Sequence, residues 1–505
     1  MRNPFATTDP AKEQQDILFN QDKRLLEPAN ELAMRIKGMG GQALLVGGFV
    51  RDSLTGTISK DADIEVYGID ADTLEQSLQQ MYPGKVDTVG RSFGVLKVFL
   101  GDGLDLDVSI PRRESKTGAG HTGFAVTGDP TMSVKEAARR RDFTMNSLAA
   151  DPLTGEIFDS FGGVDDIKKK ILRVTDPERF QDDPLRVYRA VQFAARLGFT
   201  IEPKSFELMK EMVARGDLDE LSPERVTEEL KKLLLKSEQP SIGFEYMREL
   251  GIIERDYPEL QSLIGVEQEP EWHPEGDVWI HTMMVLDAAA RITQRREDAF
   301  SDEERLQVLV GALVHDLGKP PTTKRMEKHG VMRITSLGHE EAGVEPTKHM
   351  LGRFMFGEDV ERAAIAAARD HLKPGMLHRA WEKGEMDDEQ YANALRKWLK
   401  RSLPISWRVL LAASESDYRG RTLPGVQTDP YAAGEHAKRV ILERHLDKEA
   451  AKPLVQGRDL IALGLKPGPQ FGRIIDTIEH ARDEGRIKSR EEALELAKEL
   501  ISEMK

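Results

Sequence analysis

The stretch Leu45-Val46-Gly47-Gly48-Phe49-Val50-Arg51-Asp52, followed closely by Lys60-Asp61-Ala62-Asp63-Ile64-Glu65-Val66, decides how the front of this chain is read. An apolar strand enters a Gly-Gly turn and leaves it as a helix. In the next strand the period of two sets Asp61, Asp63 and Glu65 on one face and Ala62, Ile64 and Val66 on the other. Leu104-Asp105-Leu106-Asp107-Val108-Ser109-Ile110 repeats the pattern, with Asp105 and Asp107 opposite the apolar positions. If the two strands are neighbours, carboxylates crowd together. That is unfavourable without counter-charge, and Mg²⁺, with its preference for oxygen ligands, is a counter-charge that also has a use. The plainer alternative is that the aspartates solvate one face of a sheet and the glycines form an ordinary turn.

Metal ions held by three carboxylates lower the pKa of an attacking 3′-hydroxyl and stabilise a leaving pyrophosphate in an in-line displacement at an α-phosphate. Glycines let backbone N–H groups approach a triphosphate, and Arg51 adds charge to such a cradle. The expected chemistry is nucleotidyl transfer.

The segment from Leu44 to Ala150 alternates short β-like runs with turns and polar helical stretches, as a small α/β domain does. From Ser160 onward strand signals fade, and apolar residues recur at three and four, as in PLRVYRAVQFAARLG. Gly and Pro clusters near Gly162-Gly163, Glu269 to Pro274, Leu423 to Pro430 and Pro467 to Pro469 read as joints between helical modules. At 505 residues, two to four domains are expected. The division drawn is an extension (1–30), a head (31–150), a helical neck (151–260), a metal-dependent hydrolytic domain (261–430) and a helical tail (431–505).

Charged residues make up 31% and hydrophobic ones 39%, no apolar run is long enough to span a bilayer, and the polar N-terminus lacks the apolar core of a secretory signal, so a cytoplasmic protein is expected. With no cysteine, His, Asp and Glu are the strong metal ligands available. The net charge of −15 argues against nucleic-acid binding in bulk, yet basic runs survive at Arg139 to Arg141, Lys168 to Lys170, Lys231-Lys232 and Arg396 to Arg401. Each is otherwise a solvated helix face.

The combination GGFVRD…KDAD resembles the head-domain signature of class II CCA-adding enzymes and bacterial poly(A) polymerases. The resemblance implies an α/β head of the polymerase-beta-type nucleotidyltransferase fold, followed by mostly α-helical neck, HD body and tail domains. It implies Asp61, Asp63 and Asp107 as catalytic Mg²⁺ ligands, and Arg113-Glu114 with His121-Thr122-Gly123-Phe124 as a flexible loop. Arg140-Arg141-Asp142-Phe143-Thr144-Met145-Asn146 is similar to the family's ribose-handling motif; Asp142 and Asn146, four apart, are expected on one helix face.

Asp182-Asp183-Pro184-Leu185-Arg186-Val187-Tyr188-Arg189 resembles the nucleotide-reading motif, with Asp182 where Glu is common. Cytosine and adenine both offer an amine donor beside a ring-nitrogen acceptor, so Asp183 can accept from the amine while Arg186 donates to the ring nitrogen. Uracil and guanine reverse that order and would leave buried charges unpaired, at a cost of roughly 1–3 kcal/mol each. The alternative is an N-cap followed by Pro at the first helical position, with Arg186 paired to Asp182. Ser222-Pro223-Glu224-Arg225-Val226 resembles the helix that braces the reading residues. The nucleotide-binding set is thus Gly47, Gly48, Arg51, Arg141, Asp142, Asn146, Asp183, Arg186 and Arg189.

Farther on, His281, His315-Asp316 and Asp417 resemble the H…HD…D pattern of HD-superfamily phosphohydrolases, and His339 and His371 resemble the extra histidines of members with a second metal. The set suits a transition metal such as Ni²⁺ or Mn²⁺. In the proteobacterial branch of the CCA enzymes such a module hydrolyses 2′,3′-cyclic phosphates. Gly457-Arg458-Asp459-Leu460 through Gly472 resembles the tail that holds the tRNA elbow. The implied partners are tRNA, ATP and CTP. A poly(A) or A-only polymerase, a phosphohydrolase as principal activity, and a catalytically dead RNA-binding protein stand as alternatives.

Overall fold

The computed structural model describes residues 21–88, 95–116, 124–295, 299–447, 454–466, 468, 470–483, 486–487 and 489–503. His121, Thr122 and Gly123 of the expected loop, residues 1–20, and Pro467 and Pro469 lie outside the described residues. The chain divides into two compact units, residues 1–256 and 257–505.

In the first unit, β1 (Gln42–Val46), β2 (Asp61–Tyr67), β3 (Val86–Asp87), β4 (Val95–Gly101), β5 (Leu104–Ser109), β8 (Ala149–Ala150) and β9 (Ile157–Phe158) make one sheet. Its order is β3-β4-β5-β2-β1-β8-β9, and β6 (Arg112–Lys116) pairs separately with β7 (Phe124–Gly128). β2 and β5 run parallel, and the other pairs of the sheet run antiparallel. Ala62, Ile64, Val66, Leu106 and Val108 are all buried, as the alternation requires. Helix α1 (Lys23–Gly38) lies against β1, β2 and β5 and buries Leu25, Leu32 and Ile36, each side chain adding roughly 1.5–3 kcal/mol of hydrophobic stabilisation. The Asp22 side chain caps it by accepting from the Arg24 N–H at 2.9 Å. Lys23 to Asn30, read from sequence as part of an extension, are therefore the first turns of this helix.

Helix α2 (Gly48–Thr55) follows the Gly-Gly turn. Farther along, α3 (Leu185–Leu197) buries Val187, Ala190, Val191 and Ala194 on one side and carries Arg186, Arg189 and Arg196 on another, packing on α4 (Pro223–Lys236).

The second unit is built on α5 (Val278–Thr293), α6 (Asp302–Val314), α7 (Glu358–Asp370) and α8 (Trp407–Arg419), packed on one another. A Ser301/Glu304 capping box starts α6, whose end delivers His315 and Asp316. Helices Gly457–Ala462, Gln470–Asp483 and Arg490–Glu503 bury Leu460, Ile474, Ile478 and Ala493 in a cluster of their own.

Strands do not end at Ser160. Ile171–Leu172 pairs with Thr200–Ile201, and a hairpin joins β10 (Lys324–Lys328) to β11 (Val331–Thr335). His329 (φ +52°) and Gly330 (φ +77°) supply the two left-handed residues of a tight hairpin turn. The five residues of β10 are all exposed, so no apolar face announces it. Among the described residues no helix is long and apolar enough to cross a membrane.

Candidate active sites

Parallel pairing of β2 with β5 sets Asp61 beside Asp105 and Asp63 beside Asp107. The carboxylates therefore do crowd on the face opposite Ala62 and Leu106. The Asp63 side chain opens to the cleft, but the protein packed around it strips enough water to raise its carboxyl to about 6; Arg141 opposes the rise, and Asp107 and Asp61 add to it. Lys97, across from Asp107 on β4, reaches Asp105 and Asp107 at 3.3 Å each. No sequence pattern flagged this lysine. A carboxylate that resists ionisation beside other acids is what an oxygen-seeking divalent cation relieves, so the chemistry of Asp63 with Asp61 and Asp107 suits such an ion. Among the described residues, however, ligand atoms close into a tight group of three only in the second unit, and Asp107 does not line the cleft that holds Asp61 and Asp63.

Glu65, the third acid on the β2 face, does something else. It is buried, accepts from the Tyr67 hydroxyl at 2.7 Å, and faces Arg140 and Arg141 at 3.5 and 3.7 Å. Arg141 is thereby steered under the Gly-Gly turn. A Cβ on Gly47 (φ +66°) would stand 2.6 Å from Arg141 Nη1, so the turn and the guanidinium approach this closely only because residue 47 is glycine.

Asp61, Asp63, Gly47, Gly48, Arg141 and Arg51 line one cleft of about 530 Å³. Arg51 is less free than expected: it is buried, bonds to Asp52 at 2.6 and 2.8 Å and donates to Asn146 Oδ1 at 2.6 Å. The Asn146 amide in turn donates to Asp142 Oδ1 at 2.9 Å, and Arg189 Nε donates to Asp142 Oδ2 at 2.8 Å. Burial opposes the charge on Asp142, yet Arg189 and Asn146 hold its pKa below the ordinary value. The expected helix face for Asp142 and Asn146 is corrected here. Thr144–Asn146 is a 3₁₀ turn, and the side chains meet because the chain folds back on itself.

Asp183 and Arg186 line the same cleft. Arg186 does not pair with Asp182: its Nη1 and Nη2 donate to the Arg179 and Arg140 carbonyls at 2.6 and 2.7 Å. Asp183 accepts from the Leu185 N–H at 3.2 Å and from Arg225 Nη2 at 3.0 Å, so the bracing helix is present, while α3 begins at Leu185 with Pro184, and not Asp183, as its N-cap. Each group keeps spare capacity, since a guanidinium has five N–H donors and a carboxylate about four lone pairs.

In the second unit the imidazoles of His281, His315, His339 and His371 are buried around Asp316. Asp316 Oδ2 lies 3.1 Å from His315 Nε2 and 3.8 Å from His281 Nε2. On its other side, Oδ1 lies 3.6 Å from His339 Nε2 and 3.9 Å from His371 Nε2. Asp417 Oδ1 completes the first group at 3.0 Å from His281 Nε2. Three rings are oriented by backbone carbonyls accepting at Nδ1: Ala312 for His315, Ser336 for His339 and Ala367 for His371. His281 Nδ1 instead meets the Glu275 carboxylate at 2.8 Å. Nε2 of every ring thus faces the centre, the arrangement that metal-binding histidines adopt.

Burial pushes the His371 ring down to about 3, with His315 beside it adding to the effect, so it is a neutral donor at ordinary pH. Burial opposes charge on Asp316, but His315 and Lys319 (2.7 Å) hold it well below the usual carboxylate range. The buried Asp316 Oδ1 makes no hydrogen bond. A buried, ionised, underbonded oxygen facing the Nε2 atoms of His339 and His371 fits a cation. Sequence reasoning missed Glu275, Lys319 and Arg421, the last 2.8 Å from Asp417 Oδ2. It also missed the need for Gly318, where a Cβ would stand 1.9 Å from the His339 carbonyl oxygen.

Residues 43–173 match the Poly A polymerase head domain, residues 198–264 a probable RNA and SrmB-binding site of polymerase A, and residues 278–398 the HD domain. The multifunctional CCA protein of Xanthomonas campestris pv. campestris is 37% identical over 436 residues, covering 85% of this chain and 95% of its own length. That of Pasteurella multocida is 37% identical over 382 residues, or 75% and 84% of the two chains. A solved CCA-adding enzyme in complex with ATP shares the fold at 20% identity, with a TM-score of 0.61 over 97% of this chain and 98% of that one.

Proposed function

We propose that this chain, which belongs to the multifunctional CCA protein family, extends the 3′ end of tRNA with C and A at its head and hydrolyses phosphoesters at its HD centre. It is a tRNA nucleotidyltransferase of the CCA-adding class that carries an HD domain. The observation that carries the assignment of residues is one cleft lined at once by Asp61 and Asp63, by Gly47 and Gly48, and by Asp183 and Arg186. Acid, phosphate cradle and base-reading groups face a single nucleotide-sized space.

In this reading Asp61, Asp63 and Asp107 hold Mg²⁺, which when bound activates the 3′-hydroxyl and stabilises the departing pyrophosphate. Gly48, the first residue of α2, presents its backbone N–H to the triphosphate, while the Gly47 N–H is held by the Leu148 carbonyl at 3.0 Å and Gly47 serves by letting Arg141 come close beneath the turn. Asp142 and Asn146, fixed by Arg51 and Arg189, orient the ribose. Asp183 accepts the exocyclic amine of C or A, and Arg186 donates to the ring nitrogen. Arg225 holds Asp183 in place, so that side chains take over the part of a template strand.

At the HD centre His281, His315, Asp316 and Asp417 form one ligand group, and Asp316, His339 and His371 a second. A transition ion such as Ni²⁺ or Mn²⁺ supplies a nucleophilic water there. Lys319 and Arg421 balance the aspartates, and the substrate class is the 2′,3′-cyclic phosphate of RNA ends. A tRNA substrate accords with a cytoplasmic location.

The test is to incubate the full chain with tRNA ending before CCA, supplying each NTP singly and then together, and to size the products. Growth by three nucleotides with ATP plus CTP is expected; a long A tail or a single A would refute the CCA assignment.

A further inference from the structure

Arg186 faces a second hollow, of about 310 Å³, that the nucleotide-reading scheme leaves unused. Six arginines line it: Arg112 and Arg113 at the start of β6, Arg139 and Arg140 at the end of a short helix, Arg179, and Arg186 itself. Among the lining residues Glu136 and Asp182 oppose them, and from outside the hollow Asp176 pairs with Arg139 and the buried Glu65 with Arg140 at 3.5 Å, so six cations face fewer anions. Glu136 is committed to a capping box with Ser133. Asp182 stands 3.7 Å from Arg179, with both side chains open to solvent, a pairing of little energetic weight. Arg113 meets Asp129 at 2.7 Å from a side chain that is 62% exposed, so a stronger anion can draw it away. Two carbonyl oxygens hold the Arg186 guanidinium, and its charge also acts on the Asp142 carboxylate.

We propose that this hollow binds backbone phosphate of the RNA strand being extended, next to its 3′ end. The argument rests on the reading of the cleft given above. An incoming nucleotide whose base meets Asp183 and Arg186 points its triphosphate toward Gly47 and Gly48. Its own phosphates therefore cannot fill a hollow on the far side of Arg186. The polyanion that must come within one side chain of that base is the primer. Planar guanidinium forks recognise phosphate oxygens in pairs, and a group of them gives affinity without reading sequence, as a general tRNA end requires. Arg186 then serves two ligands, a base on one side and a phosphate on the other, so primer and nucleotide occupancy reinforce each other.

The experiment uses the full-length double variant Arg139→Ala/Arg179→Ala, which removes two exposed side chains of the hollow and none assigned to the chemistry. Affinity for fluorescent tRNA lacking CCA is expected to fall about tenfold, and the slope of log affinity against log salt to become shallower by about 2. KM for tRNA rises in step, while KM for CTP and ATP and the hydrolysis of a small cyclic phosphate stay within about twofold of wild type. Unchanged tRNA affinity would overturn the proposal. So would a rise confined to KM for CTP and ATP, which would give the hollow to free nucleotide phosphates. Binding is measured without turnover, so a wild type that binds tRNA through these arginines yet fails to add CCA would defeat the cleft reading alone.

Discussion

The two clusters proposed to hold metal, the carboxylates of the head and the histidines of the HD domain, face the same problem in opposite ways. In the head, carboxylates sit on neighbouring strands at the floor of an open cleft, and Lys97 and Arg141 offset their repulsion from the side. In the HD centre the ligands are buried, and each imidazole is aimed by a fixed partner at Nδ1 before any ion arrives. The first arrangement leaves room for a nucleotide to bring part of the coordination shell with it. The second supplies nearly the whole shell from protein and leaves little to the substrate. An open site built of hard oxygen donors suits a weakly held ion that enters with a triphosphate, and a closed imidazole site suits a tightly held one.

The sharpest way to break this contrast is to remove an acid from each side. Asp63→Ala is expected to reduce tRNA extension by more than about 10³-fold and leave cyclic-phosphate hydrolysis intact; Asp316→Ala should do the reverse. Loss of both activities in either variant, measured on the same preparation, would show that the centres are not independent.

Next in size is Glu275→Gln. His281 is the ligand aimed by a carboxylate, held ionised by hydrogen bonds to His273 and His281 against the effect of burial. A neutral amide there is expected to weaken metal binding at the HD centre about 10–100-fold, read by competition with a chelating dye, without altering nucleotide addition.

Arg225→Met tests whether the open cleft is organised by its neighbours. It frees Asp183 while leaving the base-reading pair itself intact. Incorporation of U relative to C is expected to rise roughly tenfold, with the rate for C falling less. An unchanged ratio in a single-turnover misincorporation assay would mean that Asp183 needs no brace.

The smallest effect is pH dependence. The Asp63 carboxyl is raised to about 6, so below that pH it is increasingly protonated and unable to hold a cation. Affinity of the head for Mn²⁺ should fall by up to about tenfold per pH unit below 6, as isothermal titration of an Asp316→Ala variant would reveal. By the same linkage, Asp63 favours the metal-free fold at pH below about 4, and that contribution is lost as pH rises through about 6. Flat affinity between pH 5 and pH 7 would contradict the placement of Asp63 among carboxylates.

Much of this was legible in the residue order, and for a reason. Strand alternation depends on nearest neighbours, so Asp61, Asp63, Asp105 and Asp107 could be assigned to a face from sequence. Parallel pairing then brought Asp63 to Asp107. What escaped depends on partners distant along the chain. Lys97 matters only once β4 lies beside β5. Glu275 reads as an ordinary acid in a loop until α5 turns His281 toward it. The meeting of Asp142 with Asn146 was anticipated for the wrong reason, a helix in place of a 3₁₀ turn. Glu65 shares the period of Asp61 and Asp63 but not their access to the cleft, and burial beside Tyr67 assigns it to holding arginines.

Lys97 has one more implication. An ammonium within 3.3 Å of both Asp105 and Asp107 offsets the repulsion between neighbouring acids on β5 with a group of the chain itself, so this edge of the sheet carries its own neutralising charge.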